Sequence, residues 1–144
     1  MSILSDVDEV YFRKKNKMSF RIDNQLVTEL LGRMEFIGAR HDVLSGNIAH
    51  SETPNYVAKD VLFKGFVEQN MGDANGVGGK PEMEIIESQS PKNANGNNVS
   101  LENEMAKMTD NSLEYMTAAE IMKKHLSLLK YSTQVWSILG ERKG

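Results

Sequence analysis

Apolar side chains recur along two stretches of the chain at alternating spacings of three and four residues. The first stretch places them at Val27, Leu30, Met34, Ile37, Leu44 and Ile48, and His41 keeps the same spacing. This alternation is typical of a helix that packs through one face. Asp23 or Asn24 is suited to cap the start of this helix. The helix has to end before Pro54, because the residue preceding a proline is pushed out of the helical region.

The second stretch, from Ser100 to Leu139, keeps the alternation and contains neither proline nor glycine. Its positions are Leu101, Met105, Met108, Ser112, Tyr115, Ala119, Met122, Leu126, Leu129, Thr133 and Trp136. Ser100 is suited to cap the helix, and Glu102 and Glu104 place negative charge in its first turn. Gly140 favours an end to the helix. The pattern therefore predicts a second, longer helix.

A second apolar row appears beside the first towards the C-terminus. It contains Ile121, Leu128 and Val135, and Ile138 and Leu139 extend it. A helix that is apolar on two adjacent faces usually contacts more than one neighbour. Because the chain has only one other clear helix, we expect some of these neighbours to belong to other subunits.

The segment between the two helices has a different composition. Val57–Phe66 is rich in apolar residues and is compatible with a short strand or a turn of helix, and Glu82–Glu87 alternates like a strand. Residues 72–80 and 88–98 have the composition of turns and loops. The middle segment is therefore predicted to be small and either irregular or β-containing.

These patterns predict a mainly α fold, in which long N- and C-terminal helices pack as an antiparallel coiled-coil-like pair. We expect an N-terminal extension over residues 1–22. Residues 23–53 and 99–140 are expected to form one discontinuous helical domain, and residues 54–98 a short loop-rich insert.

Composition narrows the possible functions. The net charge of -3 argues against a general binder of nucleic acid or anionic membranes, since both favour a basic face. The one basic cluster, Arg13-Lys14-Lys15 with Lys17, follows Asp6, Asp8 and Glu9, which favours a solvated arm. No apolar run is longer than three residues, so we expect no membrane span. The absence of cysteine excludes disulfides.

No arrangement of residues indicates an enzyme. The three histidines, His41, His50 and His125, lack the HExxH spacing of a zinc protease, and no phosphate-binding loop follows a strand. We therefore predict no catalytic residues, no metal ligands and no cofactor. Two alternatives remain at this point: a soluble helical-hairpin adaptor or chaperone that binds through coiled coils, and a small enzyme with its site in the middle segment.

A specific signature lies where the first predicted helix ends. It consists of Asn47, Ile48, Ala49, Thr53, Pro54, Tyr56, Ala58, Asp60 and Phe63. This signature is similar to the element that ends the first helix of flagellar rod and hook proteins. Pro54 is suited to the second position of a tight turn, and the next position often needs a positive φ. The family places glycine there, whereas this chain has Asn55, which tolerates a positive φ better than most non-glycine residues.

A second resemblance covers Asn95–Met108, followed by Asn111, Leu113 and Tyr115. It looks like the element that opens the last helix of the proximal rod protein of the B type. The resemblance implies a structural subunit of the proximal rod of the flagellar basal body. Such a subunit is exported by the flagellar type III apparatus to the periplasm, where it polymerises into a helical tube that transmits torque and lines the export channel.

The resemblance also implies a set of partners. These are other proximal rod subunits, the hook-basal-body adaptor at the rod base, the membrane-ring protein and the flagellar export apparatus, with self-assembly in a helical array. It implies no contact with nucleic acid.

Overall fold

A computed structural model describes residues 3–67 and 80–141, and within its helices it describes only the backbone at residues 3–6, 15–24 and 141. The elements are helix α1 (Ile3–Ala49), strands β1 (Lys59–Val67) and β2 (Lys80–Glu87), and helix α2 (Leu101–Glu141). The prediction of a mainly helical fold with a small β-containing middle segment is confirmed. The predicted loop over residues 72–80 falls outside the described residues, except for Lys80, which begins β2.

Helix α1 begins at Ile3, so the predicted helix start at Asp23 or Asn24 is wrong. Both positions lie inside the helix. Residues 3–22 contain no proline or glycine, so nothing in their backbone preferences interrupts the helix, and a polar residue can occupy a helix interior without starting one. The predicted role of residues 1–22 as a separate extension stays a prediction.

The two helices run antiparallel. Arg33 of α1 forms an ion pair with Glu114 of α2. Further towards the N-terminus of α1, the ring of Phe12 lies edge-on to that of Trp136, with 5.4 Å between the ring centroids. Contacts that move towards the start of α1 therefore move towards the end of α2, as the predicted coiled-coil-like pair requires.

Helix α1 has two buried faces, of which the apolar pattern predicted one. On the predicted face Ile37 and Leu44 are buried, whereas His41 is exposed. The other members of that face, Val27, Leu30, Met34 and Ile48, are half-buried. The second face contains Phe36, which forms the core with residues of the β-hairpin.

Strands β1 and β2 form this antiparallel hairpin, which packs on the second face of α1. The register runs from Lys59 opposite Glu87 to Val67 opposite Lys80, with a bulge between Phe63 and Gly65. The core that joins the hairpin to α1 consists of Phe36, Ile37, Val43, Val61, Phe63 and Met83. The ring of Phe66 lies directly over Gly32, which leaves no room for a side chain at that position.

Helix α2 faces α1 with an unexpected set of residues. Glu104, Asn111 and Ala118 are buried at intervals of seven, while the neighbouring predicted positions Met105 and Ser112 are exposed. Glu104 and Asn111 each have a hydrogen-bond partner in α1, the amide of Asn47 and the carbonyl of Ile37, while the Asn111 amide oxygen has none in the described part of the chain. The apolar pattern cannot indicate such buried polar side chains.

The predicted positions on α2 therefore divide into two groups. Those that are half-buried within the chain are Met108, Ala119, Met122 and Leu129. Those that are exposed are Leu101, Met105, Ser112, Tyr115, Leu126, Thr133 and Trp136. A part for the exposed residues in assembly stays a prediction.

The helix pair has two unlike ends. Near the hairpin, α1 packs against both α2 and the sheet, and we call this the locked end (residues 22–49 of α1 and 101–120 of α2). The other end, residues 3–21 and 121–141, is called the open end. Every described side chain of α2 from Lys130 to Gly140 is exposed there. No helix in the described part of the chain is long and apolar enough to cross a membrane.

This difference predicts unequal backbone protection in the purified chain. Amide protons of residues 130–139 should exchange faster than those of residues 104–118 by about two orders of magnitude, because the open end gains little stability from packing. Hydrogen exchange followed by mass spectrometry at micromolar concentration measures this ratio. Equal protection along α2 would contradict the division into two ends.

Candidate functional site

The centre of the locked end is the side chain of Asn47, in the last turn of α1. Its amide nitrogen donates to the carbonyl of Lys59 at 2.6 Å and to a carboxylate oxygen of Glu104 at 2.7 Å. Its amide oxygen accepts hydrogen bonds from the Lys59 backbone N–H at 2.9 Å and from the Tyr56 hydroxyl at 3.3 Å. The side chain is fully buried. A single residue therefore connects the end of α1, the start of β1 and the first turn of α2.

Asn97 fixes the turn that follows α1. Its fully buried side-chain nitrogen lies 2.8–3.0 Å from the carbonyl oxygens of His50, Ser51 and Thr53, all of which come after the last residue of the helix. Carbonyls outside a helix or a sheet need donors from elsewhere when they are buried. The amide oxygen of Asn97 accepts from the N–H of Val99 at 2.6 Å, which also fixes the chain as it enters α2.

Asn98 performs the corresponding role for the hairpin. Its amide oxygen accepts from the N–H of Ala58 at 2.7 Å, next to the start of β1. Its amide nitrogen donates to the carbonyl of Ser88 at 3.0 Å, next to the end of β2. Asn97 and Asn98 are adjacent in sequence, and together they tie one short segment to both α1 and the sheet.

The predicted turn after α1 is confirmed. The N–H of Tyr56 donates to the carbonyl of Thr53 at 3.4 Å, and Asn55 has a φ of 60°. The N–H of Asn55 donates to the carbonyl of Asn95 at 3.0 Å. Gly96, with a φ of 81°, packs so closely on the Asn55 side chain that a Cβ atom has no room. The two segments that carry the family resemblance therefore meet at this turn.

A group of charges adjoins the cluster. The buried carboxylate of Glu104 accepts from Asn47 and also from the ammonium of Lys107, at 2.8 Å. Asp60 forms a bidentate pair with the guanidinium of Arg40, at 2.8 and 3.0 Å, and Lys107 lies 3.7 Å from Asp60. These contacts connect α1, β1 and α2 a second time. We refer to Asn47, Asn97, Asn98, Glu104 and these charged neighbours as the polar cluster.

The electrostatics of Asp60 favour its charged form. Burial raises the pKa of its carboxyl group, but hydrogen bonds from Arg40 and from the Val61 N–H lower it, as do the charges of Arg40 and Lys107. The net effect is a pKa below the ordinary value for an aspartate. The hydrogen bond with Asp60 raises the pKa of Arg40 against the opposing effect of burial.

Phe63, the last residue of the signature, belongs to the core. Its ring centroid lies 5.4 Å from that of Phe36 and 5.3 Å from that of Phe66. The guanidinium carbon of Arg33 lies 5.2 Å from the Phe36 ring centroid and 5.3 Å from that of Phe63, within the range of a cation–π contact. Phe63 thus fixes the hairpin on α1.

The remaining signature residues shape the exit from the helix. Ile48 is half-buried, whereas Ala49, Thr53 and Pro54 are exposed. His50 is stacked on Tyr56, with 4.7 Å between ring centroids, and its Nδ1 lies 2.8 Å from the carbonyl oxygen of Gly46. Within the described ranges, no three His, Asp or Glu side chains form a group that could hold a metal ion.

The sequence did not reveal the roles of Asn97, Asn98, Glu104 and Asn111. Their segment has the composition of a loop followed by a capped helix, and that composition conceals that all four are buried. Asn111 donates to the carbonyl of Ile37 at 2.9 Å, across the helix pair. The high density of asparagine between positions 93 and 98 could have indicated these roles. Asparagine side chains can take the place of backbone hydrogen-bond partners.

The fold and the polar cluster define a protein with two long antiparallel helices, fixed together at one end by a hydrogen-bonded turn and exposed at the other. The flagellar basal body rod protein FlgB of Aeromonas hydrophila is 31% identical to this chain over an alignment of 105 positions, and the alignment covers 63% of the chain and 80% of that protein. The chain belongs to the family of flagellar basal body rod protein FlgB.

Two further relatives have the same description. The FlgB protein of Bacillus subtilis (strain 168) is 28% identical over an alignment of 104 positions, which covers 63% of the chain and 79% of the relative. The FlgB protein of Aquifex aeolicus (strain VF5) is 30% identical over an alignment of 92 positions, which covers 58% of the chain and 73% of the relative. No family model matches the chain.

The turn predicts the effect of substitutions at position 55. Asn55→Gly should leave the free energy of unfolding unchanged or slightly raised, whereas Asn55→Val should lower it by about 1–2 kcal/mol, because a β-branched residue is strained at this φ. Urea unfolding of the purified chain measures both. If the valine and glycine variants are equally stable, the turn does not constrain this position.

The charges of the cluster predict a dependence of stability on pH. The folded pKa of Asp60 is lowered, so its stabilising effect is present above the pKa of the unfolded chain, about 4, and is lost as the pH falls through the folded value. The difference in unfolding free energy between the wild type and Asp60→Asn should be constant from about pH 5 to about pH 8. The difference should shrink below about pH 4, where the carboxyl group of Asp60 takes up a proton. Asp110→Asn, which removes an exposed carboxylate, is the control. The same pH profile for both variants would rule out the proposed role of the Arg40 pair.

Proposed function

We propose that this chain is a structural subunit of the flagellar basal body rod and that it builds the proximal part of that rod. In this proposal, copies of the chain polymerise into a helical tube that transmits torque and lines the export channel. Membership of the FlgB family supports the rod assignment. The observation that carries the assembly role is the exposed apolar surface of α2.

That surface is a row of exposed apolar side chains along α2. Leu128 is 67% exposed, Val135 54% and Ile121 44%, and they lie on one side of the helix at intervals of seven. Ile138 and Leu139 extend the surface and are also exposed. Contiguous exposed apolar patches of this kind usually mark a site of protein interaction. A helix that ends in such a surface is suited to packing between neighbouring subunits.

The polar cluster supports the same role from the other end of the molecule. Each amide of Asn47, Asn97 and Asn98 is hydrogen-bonded within the chain, so the cluster fixes the angle between α1, the hairpin and α2. A rod that transmits torque needs subunits with a fixed internal geometry. The cluster supplies that rigidity where the two helices are joined.

The occupied polar groups also favour a structural role over an enzymatic one. The carboxylates of Glu104 and Asp60 are held by Asn47, Lys107 and Arg40. A catalytic site needs polar groups that are free to meet a substrate. We therefore propose no enzymatic activity and no cofactor.

The proposal includes a location and a set of partners. After export from the cytoplasm by the flagellar type III apparatus, the chain joins the rod in the periplasm. Its partners are other proximal rod subunits, the hook-basal-body adaptor at the rod base, the membrane-ring protein and the export apparatus. The family resemblance supports these assignments, and the negative net charge is consistent with the absence of nucleic acid among them.

The exposed row can be tested by replacing Leu128 and Val135 together with Asp. Two carboxylates in a buried subunit contact cost several kcal/mol of desolvation, so assembly should fail while export continues. The expected result is a protein recovered from the periplasm, in cells that lack rods and motility.

The matched control replaces Gln134 and Ser137 with Asp, which adds the same charges to the same part of α2 outside the row. This variant should assemble normally. Normal rods in the Leu128/Val135 variant would show that the row is not a subunit contact. A chain that instead forms only discrete soluble complexes would favour the helical-hairpin adaptor.

A further inference from the structure

Charge is distributed unequally between the two ends of the helix pair. The helices of the locked end contain nine Asp and Glu but only three Lys and Arg, whereas those of the open end contain eight Lys and Arg and four Asp and Glu. The three basic residues of the locked end, Arg33, Arg40 and Lys107, are all paired with carboxylates of the same chain. At the locked end the exposed acidic side chains include Glu29, Glu35, Asp42, Glu102 and Asp110, whereas the basic surplus of the sequence lies at the other end.

An acidic strip runs along α1 at the locked end. It consists of Leu31, Glu35, Gly38 and Asp42, at spacings of four, three and four, and all four residues are exposed. No atom lies within 4 Å of the position that a Cβ of Gly38 would take. This spacing is that of a helix-packing seam, and the glycine allows another helix to approach closely. We call this surface the α1 strip.

A groove opens beside the α1 strip. It has a volume of about 430 Å³ and is lined by residues that include Ile37, Asp42, Tyr115 and Met116. An apolar groove with a carboxylate at its edge is suited to a large side chain next to a basic one.

The open end of α2 presents a surface of the complementary kind. It consists of Ile121, Lys124, Leu128, Tyr131, Val135 and Ile138, at spacings of three and four, and each of them is exposed. Lys124 forms an ion pair with Glu120, at 3.9 Å between two well-exposed side chains, and such pairs contribute little. We call this surface the α2 strip. It combines apolar side chains with a lysine that is available to a partner.

We propose that the α2 strip of one copy of this chain docks on the α1 strip of a second copy. The proposal rests on the assembly role proposed above and identifies the partner surface. Lys124 then lies between Glu35 and Asp42, and Ile121, one turn away on the α2 strip, lies beside the groove. Because the two strips are different surfaces, the contact is heterologous and can repeat without closing, as an open rod requires.

The pairing of α1 with α2 sets the offset between copies. Since Phe12 contacts Trp136 and Arg33 contacts Glu114, Lys124 lies alongside the part of α1 near residue 24. The midpoint between Glu35 and Asp42 lies about 15 residues further along α1, so parallel copies joined by this contact are offset by roughly 22 Å along the helix axis, at ~1.5 Å per residue.

A charge exchange tests the contact in the purified full-length chain. Assembly is measured by light scattering and sedimentation at low and high salt. The wild type should form open assemblies at low salt, and the concentration for half-assembly should rise about tenfold in ~0.5 M salt. At low salt, the Lys124→Glu variant should raise the concentration for half-assembly about tenfold. The variant with Glu35→Lys and Asp42→Lys should raise it by the same factor. Carrying all three changes in one chain should restore assembly.

Mixing the two variants gives the sharpest result. The acidic α2 strip of the Lys124→Glu variant matches the basic α1 strip of the Glu35→Lys/Asp42→Lys variant, and the unchanged strips of the two variants match each other. The mixture should therefore assemble although neither variant does so alone. Lys130→Glu is the matched control for Lys124→Glu, because it reverses the same charge on α2 outside the strip. Glu29→Lys is a single charge reversal on α1 outside the strip, and both controls should assemble like the wild type.

Several results would overturn the inference. The wild type could stay monomeric at low salt, or its assemblies could stop at a closed dimer. The mixture of variants could fail to assemble, or the control substitutions could impair assembly as much as the test variants do. Its failure is distinguishable from failure of the proposed function. If Leu128/Val135→Asp abolishes rods while the charge reversals have no effect, the row contacts a different rod component and only the strip-to-strip contact is wrong.

Discussion

The hydrogen bonds of Asn47 are the constraint on which the rest of the structure depends. An asparagine side chain has two donors and an acceptor oxygen, and here they engage β1, α2 and the turn between α1 and β1. The backbone of Lys59, the carboxylate of Glu104 and the hydroxyl of Tyr56 each need such a partner where they are buried, because an unpaired buried polar group costs about 1–3 kcal/mol. Asn97 and Asn98 extend the same solution to the turn after α1 and to the hairpin. The chain thus joins its helices and its hairpin through amides and carboxylates, with a small apolar core beside them.

The two ends of the molecule follow opposite physical rules. At the locked end, specificity comes from directional bonds, and polar residues such as Glu104 and Asn111 are buried because each has a donor or an acceptor in reach. At the open end, apolar side chains are exposed and basic residues outnumber acidic ones. The proposed assembly uses both properties. In that proposal the locked end defines the shape that is repeated, and the exposed apolar side chains of the open end supply the free energy of association.

The helices, the strands and the turn could be predicted from the sequence because each depends on local pattern. The alternation of apolar residues predicts two long helices, and Pro54-Asn55 predicts a turn with a positive φ, which Asn55 has. The true start of α1 at Ile3 was missed, because capping residues in the sequence do not show whether the chain enters a helix there. The buried row of α2 was missed for a different reason. Its members Glu104 and Asn111 are polar, and their partners lie 57 and 74 residues away in sequence, where no local pattern can indicate them.

The separation in sequence between Asn47 and Glu104 has a consequence for how the molecule folds. Fifty-seven residues divide the two side chains, so the loop that they close carries a substantial entropy cost before any contact offsets it. A chain that leaves the ribosome from its N-terminus exposes Asn47 long before Glu104. During that interval α1 lacks its partner helix, and the amide of Asn47 lacks its carboxylate partner. The locked end can therefore form only after translation has passed the start of α2.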